Sequence, residues 1–67
     1  MTQQEIRAVL QANIGRNVKV AFGNHTETVL VISGDPDGFV CRAVSPGEPD
    51  AEFWLAYKEV SEVEKSD

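Results

Sequence analysis

The chain has little of what small domains usually recruit to hold themselves together. One cysteine, Cys41, excludes an internal disulfide, and a cysteine-based zinc site would need partners the sequence does not contain. One histidine, His25, excludes the common two-histidine metal motifs. Cations are scarce, with six Lys and Arg against eleven Asp and Glu, and a chain of net charge −5 opposes the phosphate neutralisation on which nucleic-acid binders depend. No apolar run approaches the roughly 20 residues that span a bilayer. The polar start Met1-Thr2-Gln3-Gln4-Glu5 lacks the basic and apolar regions of a signal peptide. These absences predict a cytoplasmic protein without membrane contact, a setting that suits a lone thiol. No catalytic motif stands out and no cofactor is implied, so the expectation is a protein that is not an enzyme.

At 67 residues the chain is one domain, residues 1–67. A chain of this size buries only about 60% of its unfolded surface. With disulfides and metals excluded, self-association is the remaining source of extra stability. The charge is also uneven. Residues 1–34 carry Arg7, Arg16 and Lys19 against Glu5 and Glu27, a net +1, whereas residues 35–67 carry nine acids against Arg42, Lys58 and Lys65, a net −6. Any nucleic acid would meet the first half more readily than the second.

Thr2-Gln3-Gln4-Glu5 fits a capping box, and Ile6, Val9, Leu10 and Ile14 follow at helical spacing. Gly15 supplies a left-handed stop. The pattern predicts a helix over about 3–13 whose other face holds Gln3, Gln4, Arg7 and Gln11. From Asn17 the period changes to two. Five strands are predicted across about 17–65: Val18 to Phe22, Thr26 to Ser33, Phe39 to Val44, Glu52 to Tyr57 and Ser61 to Lys65. Gly23-Asn24-His25 and Asp35-Pro36-Asp37-Gly38 read as turns, the second with Gly38 at a positive φ. Ser45 to Asp50 reads as a loop, and Ser66-Asp67 as a frayed end.

Short strands at near-even spacing point to a mainly β fold, an N-terminal helix capping a small five-stranded antiparallel barrel whose closure removes exposed edges. Phe22, Leu30, Ile32, Phe39, Phe53 and Leu55 are the expected core. Val29, Val31, Val40 and Trp54 then fall on the opposite face, more apolar surface than one protomer buries, which marks a contact surface. Trp54 admits three readings: a peptide-binding aromatic, an interface anchor, or core. The interface reading is preferred because Phe53 and Leu55 already claim the inward side.

Sharper chemistry meets plainer competition. Asp35-x-Asp37-Gly38 resembles part of a calcium loop, but position twelve is Pro46 where a glutamate is required, so a turn is preferred. Glu48, Asp50 and Glu52 read as a solvated acidic stretch. Cys41 with His25 as base would make a nucleophile, yet a thiol mid-strand among apolar residues reads as buried and inert.

A helix, five strands and this closing segment together resemble the Sm-like superfamily of small, strongly bent, SH3-like barrels, which includes the bacterial host-factor RNA chaperone. Gly15-Arg16-Asn17-Val18-Lys19-Val20 is similar to the family's first strand, and Asp37-Gly38-Phe39-Val40 to its second turn. Tyr57-Lys58 is similar to the pair that ends its fourth strand, and Val60-x-x-Val63 to its last strand; Glu59 stands where the host factor has a histidine. The resemblance implies a homo-oligomeric ring in which the fourth strand of one subunit pairs with the fifth of the next, with Trp54, Val29, Val31, Val40 and Val63 at the interface. It also implies single-stranded RNA contact through Phe39, Tyr57 and Lys58, with Gln4, Arg7 and Gln11 on the same side. The competing expectation is an SH3-like protein-interaction module whose acidic half meets a basic protein partner, with no role for nucleic acid.

Overall fold

The computed structural model describes residues 1–44 and 51–65. The expected Ser45–Asp50 loop and the Ser66-Asp67 end lie outside the described residues. The chain forms helix α1 (Gln3–Ala12), strands β1 (Asn17–Phe22), β2 (His25–Gly34), β3 (Gly38–Ala43) and β4 (Glu52–Ala56), a single 3₁₀ turn over Tyr57–Glu59, and β5 (Val60–Lys65). No helix among the described residues is long and apolar enough to cross a membrane.

The capping box forms as its sequence requires. Glu5 N–H donates to Thr2 Oγ1 and Thr2 N–H to Glu5 Oε1, each at 3.1 Å, which satisfies two otherwise orphaned donors. Ile6 and Leu10 are buried and Val9 packs partly against them. The helix stops before Ile14, which is exposed, and buried Asn13 closes the last turn by donating from Nδ2 to Val9 O at 2.7 Å. Gly15 (φ 84°) then reverses the chain in the left-handed region that favours glycine.

The sheet is antiparallel in the order β4-β3-β2-β1-β5. It does not close: β4 and β5 are its two edges, not paired partners. It must nevertheless curl. Five flat strands would set the outer two about 19 Å apart, while one 3₁₀ turn advances only about 2 Å per residue. Three residues join β4 to β5, so the edges have to approach each other.

Two bulges shape that curl. In β2, Val31 pairs with Cys41 and Ser33 with Val40, leaving Ile32 as the extra residue. In β5, Val60 pairs with Phe22 and Glu62 with Ala21, leaving Ser61 extra, and its Oγ donates to Ala21 O at 3.1 Å. The second bulge explains why valines three apart, Val60 and Val63, both face the core.

The inward face is set by cross-strand rows: Val18 opposite Val29, Val20 opposite Val63, Val31 opposite Cys41 opposite Phe53, and Phe39 opposite Leu55. Phe39 and Leu55 are core as expected, and Phe22 and Phe53 pack against it while partly exposed. The expected face of β2 is inverted. Val29 and Val31 are fully buried, and Leu30 and Ile32 lie on the outer side, half-buried. Val29 to Ile32 is apolar on both sides, so only its pairing with Val18 and Cys41 selects the face.

Candidate functional site

A cleft of about 340 Å³ opens where the β2–β3 turn meets the end of β4 and the 3₁₀ turn. Gln3, Pro36, Asp37, Trp54, Ala56, Tyr57 and Lys58 line it. Backbone bonds fix its floor: Asp35 N–H donates to Gly38 O at 2.8 Å to close the turn, and Tyr57 N–H donates to Asp37 O at 3.0 Å, tying the 3₁₀ segment to it. The helix contributes Gln3 because its stripe packs against β2, β5 and this same 3₁₀ turn.

Trp54 is the cleft's wall. The residue is half-exposed, and its indole Nε1–H donates to Asp35 Oδ2 at 3.1 Å. The ring lies against Gly38, where a Cβ would fall 2.6 Å from Trp54 Cε2. Gly38 is thus needed for close approach, whereas a positive φ was expected; among the described residues the glycines with positive φ are Gly15 and Gly23. Two anchors therefore hold a large aromatic ring in place at the surface.

Tyr57 is buried. Its ring stacks on Phe39 with centroids 5.9 Å apart and planes 21° from parallel. Its hydroxyl is enclosed near Gln11 and Gly34, with no partner at hydrogen-bonding geometry among the described residues. Burial pushes the phenol pKa up; the Arg7 guanidinium opposes this, the Asp35 carboxylate adds to it, and Gln11 opposes it.

These positions revise the expected RNA set. Phe39 is completely buried and Tyr57 nearly so, so neither offers a ring face on which a base could stack; they form the core stack behind the cleft. Gln4, Arg7, Gln11 and Lys58 are exposed. Lys58 lines the cleft, Arg7 and Gln11 lie near the Tyr57 hydroxyl, and Gln4 is outside the lining. The expected interface set is revised as well. Val29, Val31 and Val63 belong to the protomer's own core, leaving half-buried Val40 opposite Trp54 on the outer face.

The sequence reading missed Gln3, Pro36 and Asp37 as partners of Trp54. Asp35 and Trp54 are 19 residues apart, and no local spacing announces their bond. A second, smaller hollow of about 90 Å³ lies among Lys19, Ala21, Thr26, Glu62 and Glu64 on the outer side of β1, β2 and β5.

The plainer reading of Cys41 as a buried thiol holds. Cys41 is buried, and burial, reinforced by Glu27, pushes its thiol up to about 12, so it carries no thiolate at neutral pH. His25 sits at the β1–β2 turn, its ring edge-on to Phe22 at 4.5 Å and its Nε2 3.7 Å from Glu27 Oε2. Among the described residues no three His, Cys, Asp or Glu gather as a metal site. Glu48, Asp50 and Pro46 lie outside the described residues.

Comparison with known proteins adds no relative: no family model, no curated protein and no solved structure matches the chain.

Proposed function

We propose that this protein is a non-enzymatic, Sm-like small-barrel subunit of the cytoplasm that assembles with copies of itself into a ring. The observation that carries the reading is the pair of open edges. β4 and β5 end a five-stranded sheet whose curl brings them round on either side of one 3₁₀ turn. Open edges are templates for strand addition, and a strand order with two different free edges lets the β4 of one copy pair with the β5 of the next, head to tail. The β5 edge is only weakly covered, by the half-exposed Met1, whose Sδ accepts the Val63 N–H at 3.4 Å. A thioether is a weak acceptor that a backbone carbonyl would readily displace. With Val29, Val31 and Val63 inside the protomer, the seam would rest on backbone bonds, flanked by Val40 and Trp54.

On this reading single-stranded RNA would be held by Arg7 and Lys58 with Gln4 and Gln11, through charge and amide contacts without stacking. Sedimentation velocity at micromolar concentration tests the assembly; the expected species is a multiple of the protomer mass, and a strictly monomeric protein refutes the ring. Titration with short U-rich and A-rich RNA at low salt tests the second part, and no binding there removes RNA from the proposal, since phosphate contacts are strongest at low salt.

A second reading, an SH3-like protein-interaction module with an acidic surface, draws on a separate observation: the half-exposed Trp54, held at the rim of a cleft in the acidic half of the chain.

A further inference from the structure

We infer that the Trp54 cleft is a receptor for the guanidinium of an arginine side chain carried by a basic protein segment. This rests on the second reading above, that of an interaction module.

Three features of the cleft converge on a planar cation. The first is the indole itself. One side of the ring lies against Gly38 while the residue stays half-exposed at the cleft. Aromatic faces attract cations, and Trp does so best. The second is the hydrogen bond from Nε1 to the Asp35 carboxylate. An anion accepting from the indole N–H polarises the ring toward higher electron density, and it fixes the platform so that little side-chain freedom is lost on binding. The third is Asp37, an exposed carboxylate in the lining whose backbone carbonyl, not its side chain, holds Tyr57. A guanidinium stacked on an indole while its fork meets a carboxylate is a standard arginine geometry, which an ammonium cannot reproduce.

Charge sets the sign of the preferred ligand. Among the described lining residues Asp37 and Lys58 balance; Asp35, bonded to the indole beside them, tips the local sign negative, and residues 35–67 carry a net −6. Lys58 would favour a phosphate, so a nucleotide stacked on Trp54 is the competing occupant. The two occupants predict opposite responses to removal of the Lys58 charge.

Trp54 is the chain's only tryptophan, so its fluorescence reports the cleft directly. The probes are the capped peptide acetyl-Gly-Gly-Arg-Gly-Gly-amide, its lysine counterpart, and its citrulline counterpart, which keeps the shape and loses the charge. A short guanine-containing RNA oligonucleotide is the fourth. Each is titrated against the full chain by Trp54 emission and, in parallel, by calorimetry. The expected result is that arginine binds more tightly than lysine and that citrulline does not bind. Asp37→Asn should weaken the arginine peptide roughly tenfold, the scale of one charge-assisted pair. Lys58→Gln should tighten it. Asp37→Asn keeps the backbone carbonyl on which Tyr57 depends, so a folded variant is expected, and its circular dichroism verifies that.

Equal binding of citrulline overturns the inference, as does an Asp37→Asn variant with wild-type affinity. RNA quenching of Trp54 that Lys58→Gln weakens, with no response to arginine, would assign the cleft to nucleic acid. Calorimetric binding of the arginine peptide with unchanged Trp54 emission would leave the interaction module standing and refute this cleft as its site. Absence of binding by either method refutes both.

Discussion

Replacing Gly38 with alanine tests how the cleft wall is built. A Cβ at this position would lie 2.6 Å from Trp54 Cε2 and 2.5 Å from the Leu55 carbonyl oxygen, about 1 Å inside ordinary contact. The indole could yield only by stretching its 3.1 Å bond to Asp35, and the Leu55 oxygen belongs to β4, paired with β3 through Phe39. One obstacle is thus a side chain and the other is backbone, which places the cost near the top of the 1–3 kcal/mol typical of overpacking, at about 3 kcal/mol. A chain of this length has only about 3–10 kcal/mol of stability in total, and a loss of this size should lower the melting temperature by roughly 12–24 °C.

Thermal unfolding followed by circular dichroism measures it in four chains: wild type, Gly38→Ala, Trp54→Ala and the double variant. Removing the indole relieves one of the two overlaps, so Gly38→Ala should cost about 1 kcal/mol less in the Trp54→Ala background. If Gly38 were required for a left-handed backbone, the cost would be the same in both backgrounds. That equality, or a Gly38→Ala protein melting with the wild type, would refute the close-approach account.

Two further outcomes follow from burial and the pKa shifts. Val31→Ala should cost about 2 kcal/mol, two buried methyl groups plus a small cavity, while Leu30→Ala on the outer face should cost clearly less; equal losses in denaturant titrations would mean that β2 has been assigned the wrong face. Alkaline stability should fall because the Cys41 thiol is pushed up to about 12 when folded. The unfolded chain releases this proton first, so the contribution is complete below the ordinary thiol range and is lost as pH rises toward about 12, at up to about 1.4 kcal/mol per pH unit. The raised Tyr57 phenol adds a loss of the same sign. Cys41→Ala should flatten the decline measured by urea unfolding between neutral and alkaline pH, and an unchanged slope would show that the thiol is not protected by the fold.

Much of the fold was legible because local physics dictates it. The Thr2/Glu5 capping box, the Ile6/Leu10 stripe and the left-handed Gly15 are short-range devices, and each formed where its spacing put it. The alternation of Val18 and Val20 likewise names its own inward face. Ile14 fits the helical stripe equally well but is exposed, because Asn13 caps the helix and Gly15 turns the chain away.

What local pattern could not decide was anything requiring a partner from elsewhere in the chain. Val29-Leu30-Val31-Ile32 offers two equivalent apolar faces, and only registration against Val18 and Cys41, with the bulge at Ile32, turned the valines inward. The same choice drew Val29 and Val31 out of the expected interface and into the core, and the Ser61 bulge, with the pairing to Val20, did so for Val63. Phe39 and Tyr57, which as isolated aromatics could stand on a surface, found each other and were buried. The sequence by itself determined the order of elements, the charge imbalance and the outward aim of Trp54, all of which depend on neighbours within a few residues. Tertiary structure alone decided that Trp54 would be pinned between Gly38 and Asp35 beside Asp37, because a close approach and a hydrogen bond across 19 residues exist only once β3 and β4 have paired.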